Sequence, residues 1–222
     1  MNNIKGLLLK DLLIFKSYIK VITVSIIFFT LVIFLDSRQY NMLIYGPIIF
    51  LFFLGMNSIS TFSYDEYDST DRYLLALTTS KKELVISKYL FTFLNSFLSL
   101  LLGLFISIVA NIVMGVSFEL LGNSIKLLLL VFTGASFLLC CDIPCIYKWG
   151  VEKGRMQALL IPVFIVTILG ILGVAITLLF PSFISNINLA TIYNPLLCII
   201  INILLYFISY KISYRIYEHK DI

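Results

Sequence analysis

Long apolar runs, separated by short polar segments, follow one another along the whole chain. The runs lie at about 18–35, 42–63, 89–115, 123–146, 157–180 and 191–213. Each is close to the roughly 20 residues that a helix needs to cross the hydrocarbon core of a bilayer, whereas strands of a membrane barrel alternate over about ten residues. A helix also satisfies its own backbone hydrogen bonds in hydrocarbon. The pattern therefore predicts an all-α membrane protein with six transmembrane helices, forming a single domain over residues 1–222.

The composition agrees with this class. Of the 222 residues, 60% are hydrophobic and 13% are charged, and the mean hydropathy is +1.04. Soluble domains carry about 25% charged residues, so a water-soluble fold is excluded. The first apolar run lacks a small-residue cleavage site and is predicted to be an uncleaved signal anchor.

The lysines and arginines fall almost entirely on alternate connections between the runs. Fourteen of the 16 lie on one side of the predicted membrane, namely Lys5, Lys10, Lys16, Lys20, Arg72, Lys81, Lys82, Lys88, Lys148, Lys153, Arg155, Lys211, Arg215 and Lys220. Because cytosolic loops of membrane proteins are enriched in lysine and arginine, the N and C termini are predicted to be cytosolic. The net charge of +4 is thus explained by topology, and no basic stripe with interleaved aromatic residues indicates nucleic-acid binding.

The longest polar segment, Tyr64–Lys88, connects the second and third runs. Ser80 and Glu83 have the spacing of a capping box, in which each side chain caps the backbone of the other. A helix is therefore predicted to begin at Lys81 and to continue without a break into the third run.

A short cytosolic helix is predicted upstream, over Thr70–Leu77, with Asp68 or Ser69 as its N-cap. Two interpretations are open for it: a helix lying on the lipid surface, or a docking element for a cytosolic partner. Arg72 and Tyr73 beside an acidic cluster favour a protein interface over an anionic lipid surface.

Small and polar side chains recur every four residues along the third run and form one helical stripe. Its members are Asn95, Ser99, Gly103, Ser107 and Asn111. Such stripes allow close helix packing in lipid, and a path that contacts a transported cargo is the alternative.

Asp142 is the only acid well inside a predicted run. An ionised side chain within a membrane needs a partner or a polar cavity. Pairing with Lys148 or Arg155 is one interpretation, and a role in gating or cargo recognition is the other. Pro144 nearby leaves carbonyl groups of its helix open to other contacts.

Other candidate chemistry is sparse. The four cysteines all lie in apolar runs, as Cys140, Cys141, Cys145 and Cys198, and the single histidine is in the C-terminal tail. No disulfide framework and no metal site are therefore predicted. An intramembrane enzyme would need a second catalytic group beside Asp142, and the runs offer none. The phosphate-binding sequence G-x-x-x-x-G-K-[ST] does not occur, so this chain is not expected to hydrolyse ATP by that route.

Two of the cytosolic segments carry distinctive motifs. Asp71–Leu90 has the sequence DRYLLALTTSKKELVISKYL, and Ile143–Arg155 has the sequence IPCIYKWGVEKGR. The first resembles the R-Y-x-x-[ST]-L-P-x-[ST]-[RK]-x-x-[IL]-V-x-[SA]-K-Y segment between the second and third spans of small type-2 ABC exporter permeases, with Thr78 in place of the proline. The second is similar to the P-x-x-[YF]-K-[FW]-G-x-E-K-[GA]-R stretch that follows their fourth span.

The resemblance implies the permease subunit of an ATP-binding cassette exporter in a bacterial plasma membrane, with no enzymatic site or cofactor of its own. A separate cytosolic ATPase would use ATP and Mg²⁺, and a second permease chain, identical or different, would pair with this one. By analogy, the coupling helix that docks the ATPase comprises Asp71, Arg72, Tyr73, Leu74 and Leu77. A second cytosolic contact comprises Lys148, Trp149, Glu152, Lys153 and Arg155.

The resemblance also concerns cargo. It extends to permeases that export phenol-soluble modulins or bacteriocins, which implies an amphipathic or antimicrobial peptide as cargo. The alternative is a membrane immunity or assembly protein that transports nothing.

Overall fold

The computed structural model describes residues 2–35, 59–67, 73, 80–114, 118–154, 156–157, 160–161, 163–165, 167–168 and 195–220. Their regular elements are five helices: α1 (Asn2–Leu35), α2 (Ile59–Tyr67), α3 (Lys81–Met114), α4 (Phe118–Trp149) and α5 (Pro195–Glu218). Helical residues also follow α4, at 151–154 and in part up to 168. The described part of the chain is therefore all-helical, as predicted.

Among the described residues, three helices are long and apolar enough to cross a membrane. The crossing segments are Lys81–Val109 in α3, Gly122–Trp149 in α4 and Leu197–Glu218 in α5, and they correspond to the third, fourth and sixth predicted runs. The first predicted run forms the second half of α1. Residues 42–58 and 169–180, which hold most of the second predicted run and half of the fifth, lie outside the described residues. The number of six spans and the cytosolic termini stay predictions.

The start of α3 is set locally by its capping box. The Ser80 hydroxyl accepts a hydrogen bond from the Glu83 N–H at 3.2 Å, and the Glu83 carboxylate accepts one from the Ser80 N–H at 3.1 Å. These two bonds satisfy backbone donors that a helix N-terminus leaves open. The predicted start at Lys81 is confirmed, and α3 continues unbroken to Met114.

The start of α4 lies earlier in the chain than predicted. Residues 118–122 belong to a loop in the sequence-based prediction, but the helix begins at Phe118. An apolar stretch precedes Gly122, and a single glycine inside a helix costs only about 1 kcal/mol relative to alanine. The glycine therefore does not end the helix.

The helices meet in an arrangement in which α5 packs against α4 and α3, while α1 packs against α3 and α2. Each helix contributes to one buried cluster, formed by Leu7, Phe62, Leu84, Val85, Tyr89, Leu139, Ile143, Ile146, Tyr147, Val151 and Tyr217. Removing such side chains from water favours this packing. The cluster positions the charged groups described below.

One end of this bundle gathers the ends of four helices. Lys81 Nζ at the start of α3 donates to the carbonyl oxygens of Glu218, the last residue of α5, and of Lys220 just beyond it, at 3.0 and 2.9 Å. Lys220 Nζ donates to the Tyr147 carbonyl near the end of α4 at 3.2 Å, and the Asn3 amide in α1 donates to a carboxylate in the first turn of α3 at 3.5 Å. We call this the basic end. It joins segments that the charge count placed on one side of the membrane.

A proline inside α4 leaves a backbone carbonyl open, and a hydroxyl of α5 satisfies it. Pro144 has no N–H to donate to the Cys140 carbonyl one turn earlier, and Ser209 Oγ donates to that oxygen at 2.6 Å. Because this uses the single proton of Ser209, the Tyr89 hydroxyl donates to Ser209 (2.6 Å) and accepts from Ser213 (2.7 Å). The carbonyl that Pro144 leaves open is thus used in packing against α5. The hydrogen-bond chain ties α3, α4 and α5 together.

Tyr89→Phe removes the middle hydroxyl of this hydrogen-bond chain. We expect the free energy of unfolding to fall by about 1 kcal/mol, the size measured for hydrogen bonds between membrane helices. SDS-titrated unfolding of the detergent-solubilised protein measures it. The matched control is Tyr210→Phe. The Tyr210 ring packs against Tyr89 with centroids 5.7 Å apart, but its hydroxyl is not part of the hydrogen-bond chain. Equal effects of the two substitutions would contradict the assignment.

Candidate functional site

Four charged side chains from α1, α2 and α3 form a buried ion cluster at the basic end. Lys88 Nζ lies 2.8 Å from Asp11 Oδ1 and 2.5 Å from Asp65 Oδ2. Lys10 Nζ lies 2.6 Å from Asp65 Oδ1 and 3.6 Å from Asp11 Oδ1. Two carboxylates and two ammonium groups thus alternate, and their formal charges cancel. We call these four residues the ion cluster.

Because they are buried, the members of the ion cluster depend on one another for charge compensation. Asp11, Asp65 and Lys88 are 0%, 5% and 6% exposed. Lys88 Nζ also lies 5.1 Å from the centre of the Phe62 ring and 3.5 Å from the Thr61 carbonyl oxygen. Charges this deep lose most of their hydration, so removing one partner leaves another uncompensated. The ion cluster therefore fixes α1, α2 and α3 relative to one another.

The ion cluster is not among the sites predicted from the sequence. The charge pattern gives Lys10 and Lys88 the role of flanking charges that orient the helices, and it gives Asp11 no role. One signal is present, because Asp11 follows Leu7 by four residues and so lies on the same helix face as a core leucine. An acid on a buried face needs a partner, but the sequence does not say which cation supplies it.

A second carboxylate of α2 holds the turn that ends α4. Gly150 has φ +82° and donates to the Ile146 carbonyl at 2.9 Å, which closes the helix in a left-handed conformation that suits glycine. The Glu66 carboxylate accepts a short hydrogen bond from the Val151 N–H. A Cβ at position 150 would lie 2.6 Å from Glu66 Oε1, and one at Gly154 would lie 2.8 Å from Ile146 Cα. Both glycines of the second motif therefore allow close approach.

The structure describes five of the ten predicted docking residues, and all five are exposed. Tyr73 is helical and 75% exposed. Asp71, Arg72, Leu74 and Leu77 lie outside the described residues, as does Arg155. The other predicted residues of the second contact are all exposed, namely Lys148, Trp149, Glu152 and Lys153. Lys148 Nζ lies 4.5 Å from the centre of the Trp149 ring. Their role in docking stays a prediction.

The stripe of small residues on α3 faces the neighbouring helices. Its described side chains, Asn95, Ser99 and Ser107, are buried, and Gly103 is buried as well. The Ser99 hydroxyl donates to the Ser96 carbonyl at 2.6 Å. Both interpretations, helix packing and a cargo path, stay predictions; nothing is described of the Asn111 side chain.

The acid and the thiols near the end of α4 are enclosed by the bundle. Asp142 is 5% exposed, and its pairing with Lys148 or Arg155 stays a prediction. The thiols of Cys140, Cys145 and Cys198 are free and buried, and that of Cys141 is free and half-buried. Among the described residues, no three His, Cys, Asp or Glu side chains are grouped so that they could hold a metal ion.

Fold and site together define a class, that of a helical membrane protein in which long apolar helices converge on a charged end. Over residues 6–218 the chain matches the model of a family described as ABC-2 family transporter protein. Since this covers almost the whole chain, the protein belongs to that family. It is a multi-pass membrane subunit of permease type, and membership implies an ABC transporter with an ATPase partner. No curated protein and no solved structure matches the chain.

Lys88→Met tests the ion cluster. It leaves two buried carboxylates with one partly exposed cation, so we expect the free energy of unfolding to fall by about 3–5 kcal/mol. Lys82→Met, an exposed lysine on the same helix, is the control and should stay within about 0.5 kcal/mol of the parent. Adding Asp11→Asn to Lys88→Met keeps the Lys10–Asp65 pair and should recover part of the loss. Lys88→Met as stable as Lys82→Met in SDS titration would show that the cluster is not buried.

Gly154→Ala tests the close approach after α4. The new Cβ would lie 2.8 Å from backbone at Ile146, so the chain must shift, at a cost of about 1–3 kcal/mol. Gly134→Ala is the control, because its Cβ would meet nothing within 4 Å. The emission of Trp149, the single tryptophan, should change only in Gly154→Ala. The same emission in both variants would argue against a close contact between Gly154 and Ile146.

Proposed function

We propose that this protein is the permease of an ABC exporter in a bacterial plasma membrane, and that its cargo is an amphipathic or antimicrobial peptide. A separate ATPase would dock on Asp71–Leu77 and on Lys148–Arg155 and would supply the ATP hydrolysis. A second permease chain, identical or different, would complete the membrane part. Family membership supplies the transporter class, and the two sequence motifs support the exporter subtype and the cargo class.

One observation carries the docking proposal, namely that each motif presents a large aromatic side chain to solvent. Tyr73 is 75% exposed and Trp149 is 41% exposed. Aromatic residues are enriched at protein interfaces, where they bury much area at a small entropic cost. Lys148 and Lys153 beside Trp149 are also exposed and suit a partner with an acidic rim.

The helix next to the docking segment supports transmission into the bilayer. α3 begins at Lys81, four positions after the docking segment ends at Leu77, and its 34 residues extend about 51 Å at 1.5 Å each. The hydrocarbon core is about 30 Å thick. One continuous helix therefore reaches from the basic end to the far side of the bilayer, so a displacement of its start is carried across as a rigid body.

Tyr73→Ala should reduce ATP-driven transport at least tenfold, because it removes the most exposed aromatic side chain of the docking segment. The assay is ATP-dependent uptake of a fluorescent amphipathic cationic peptide into inside-out vesicles that contain this chain and the ATPase that copurifies with it. Ile112→Ala is the control, an equally exposed apolar residue (72%) near the far end of α3, and should transport like the parent.

Each alternative gives a distinct result in this assay. Uptake that survives Tyr73→Ala unchanged would place the docking site elsewhere. An ATPase that copurifies with the parent chain without any peptide uptake would reject the cargo class. No ATPase at all would favour the immunity or assembly alternative.

A further inference from the structure

Helix α2 carries two adjacent carboxylates that bind two different parts of the bundle. Asp65 binds Lys10 of α1 and Lys88 of α3. Glu66 binds the backbone N–H of Val151, just after α4. Successive side chains on a helix point about 100° apart, so one short helix reaches in both directions. These contacts connect segments that are 23 to 85 positions apart in the sequence.

The position of α2 in the sequence indicates how movement could reach these contacts. α2 ends at Tyr67, and the proposed docking segment begins four positions later, at Asp71. A force applied to that segment therefore reaches α2 directly through the chain. From α2 it has two routes, through Asp65 to α1 and α3, and through Glu66 to the end of α4.

The two routes differ in strength. Asp65 is 5% exposed and bound by two ammonium groups, which makes it a firm anchor. Glu66 is exposed and accepts one backbone hydrogen bond, in a space that exists because residue 150 is a glycine. A single part-buried hydrogen bond contributes only modestly to overall stability, yet this one links the turn after α4 to α2.

We propose that Glu66 is a positioning residue that couples the end of α4, with the second docking contact, to the first docking segment, while Asp65 couples the same segment to α1 and α3. Movement of the docking segment is thereby transmitted through α2 to α1, α3 and α4. This inference rests on the proposed function, because it assumes an ATPase that moves Asp71–Leu77.

The test is hydrogen–deuterium exchange of the full complex of this chain with its copurifying ATPase, with and without ADP and vanadate. In the parent, peptides from the start of α3 and from residues 139–147, the end of α4 that precedes the second docking contact, should both change their deuterium uptake. Glu66→Ala should lose the change at 139–147 and keep the change in α3. Glu66→Gln retains an acceptor oxygen and should behave like the parent. A merely structural role would lower protection in both regions without nucleotide and would not be rescued by Gln.

A second variant keeps the inference testable if Glu66→Ala does not fold. Two glycines inserted after Tyr67 leave both carboxylates in place but loosen the link between α2 and the docking segment. The nucleotide-dependent change at 139–147 should then disappear, while the change in α3, which the docking segment also reaches through Lys81, should persist and the ATPase should still copurify. A parent-like response in Glu66→Ala or in the glycine-insertion variant would overturn the inference and leave the proposed function intact. An ATPase that never copurifies with the parent would overturn both.

Discussion

The four charged side chains of the ion cluster, buried together where α1, α2 and α3 meet, organise the basic end of this protein. Asp11, Asp65 and Lys88 are almost fully enclosed, and each lies within hydrogen-bond distance of an oppositely charged group. Lys10, at the edge, completes the balance. No single member is stable there without the others, so α1, α2 and α3 are held in one relative position. α2 owes its location to this constraint.

Within the apolar part of the bundle a different constraint applies, since backbone groups have no water to bond. The Cys140 carbonyl, left open by Pro144, is satisfied by Ser209, and the proton count of Ser209 orients the Tyr89 hydroxyl. Small and hydroxyl side chains on α3 and α5 then allow close packing. The hydroxyl groups of Ser209 and Tyr89 thus join helices through hydrogen bonds.

The two family motifs acquire physical reasons from the structure. Lys88 and Tyr89 of the first motif belong to the ion cluster and to the hydrogen-bond chain. Gly150 and Gly154 of the second allow the turn after α4 and the approach of Glu66. These parts of the motifs maintain the architecture, whereas Tyr73 and Trp149 remain exposed. The two motifs therefore combine buried residues that maintain the fold with exposed residues that belong to the proposed docking surface.

The sequence alone determined whatever depends on local pattern. Apolar runs of span length predicted the helical membrane class, and the Ser80–Glu83 capping box located the start of α3, because its hydrogen bonds join residues three apart. The exposed candidates Tyr73 and Lys148 also came from motifs. Only the tertiary structure revealed which charges are buried together and that Glu66 holds the turn at Val151. Those contacts join residues up to 85 positions apart, and a charged residue has the same letter whether it lies in water or in a core.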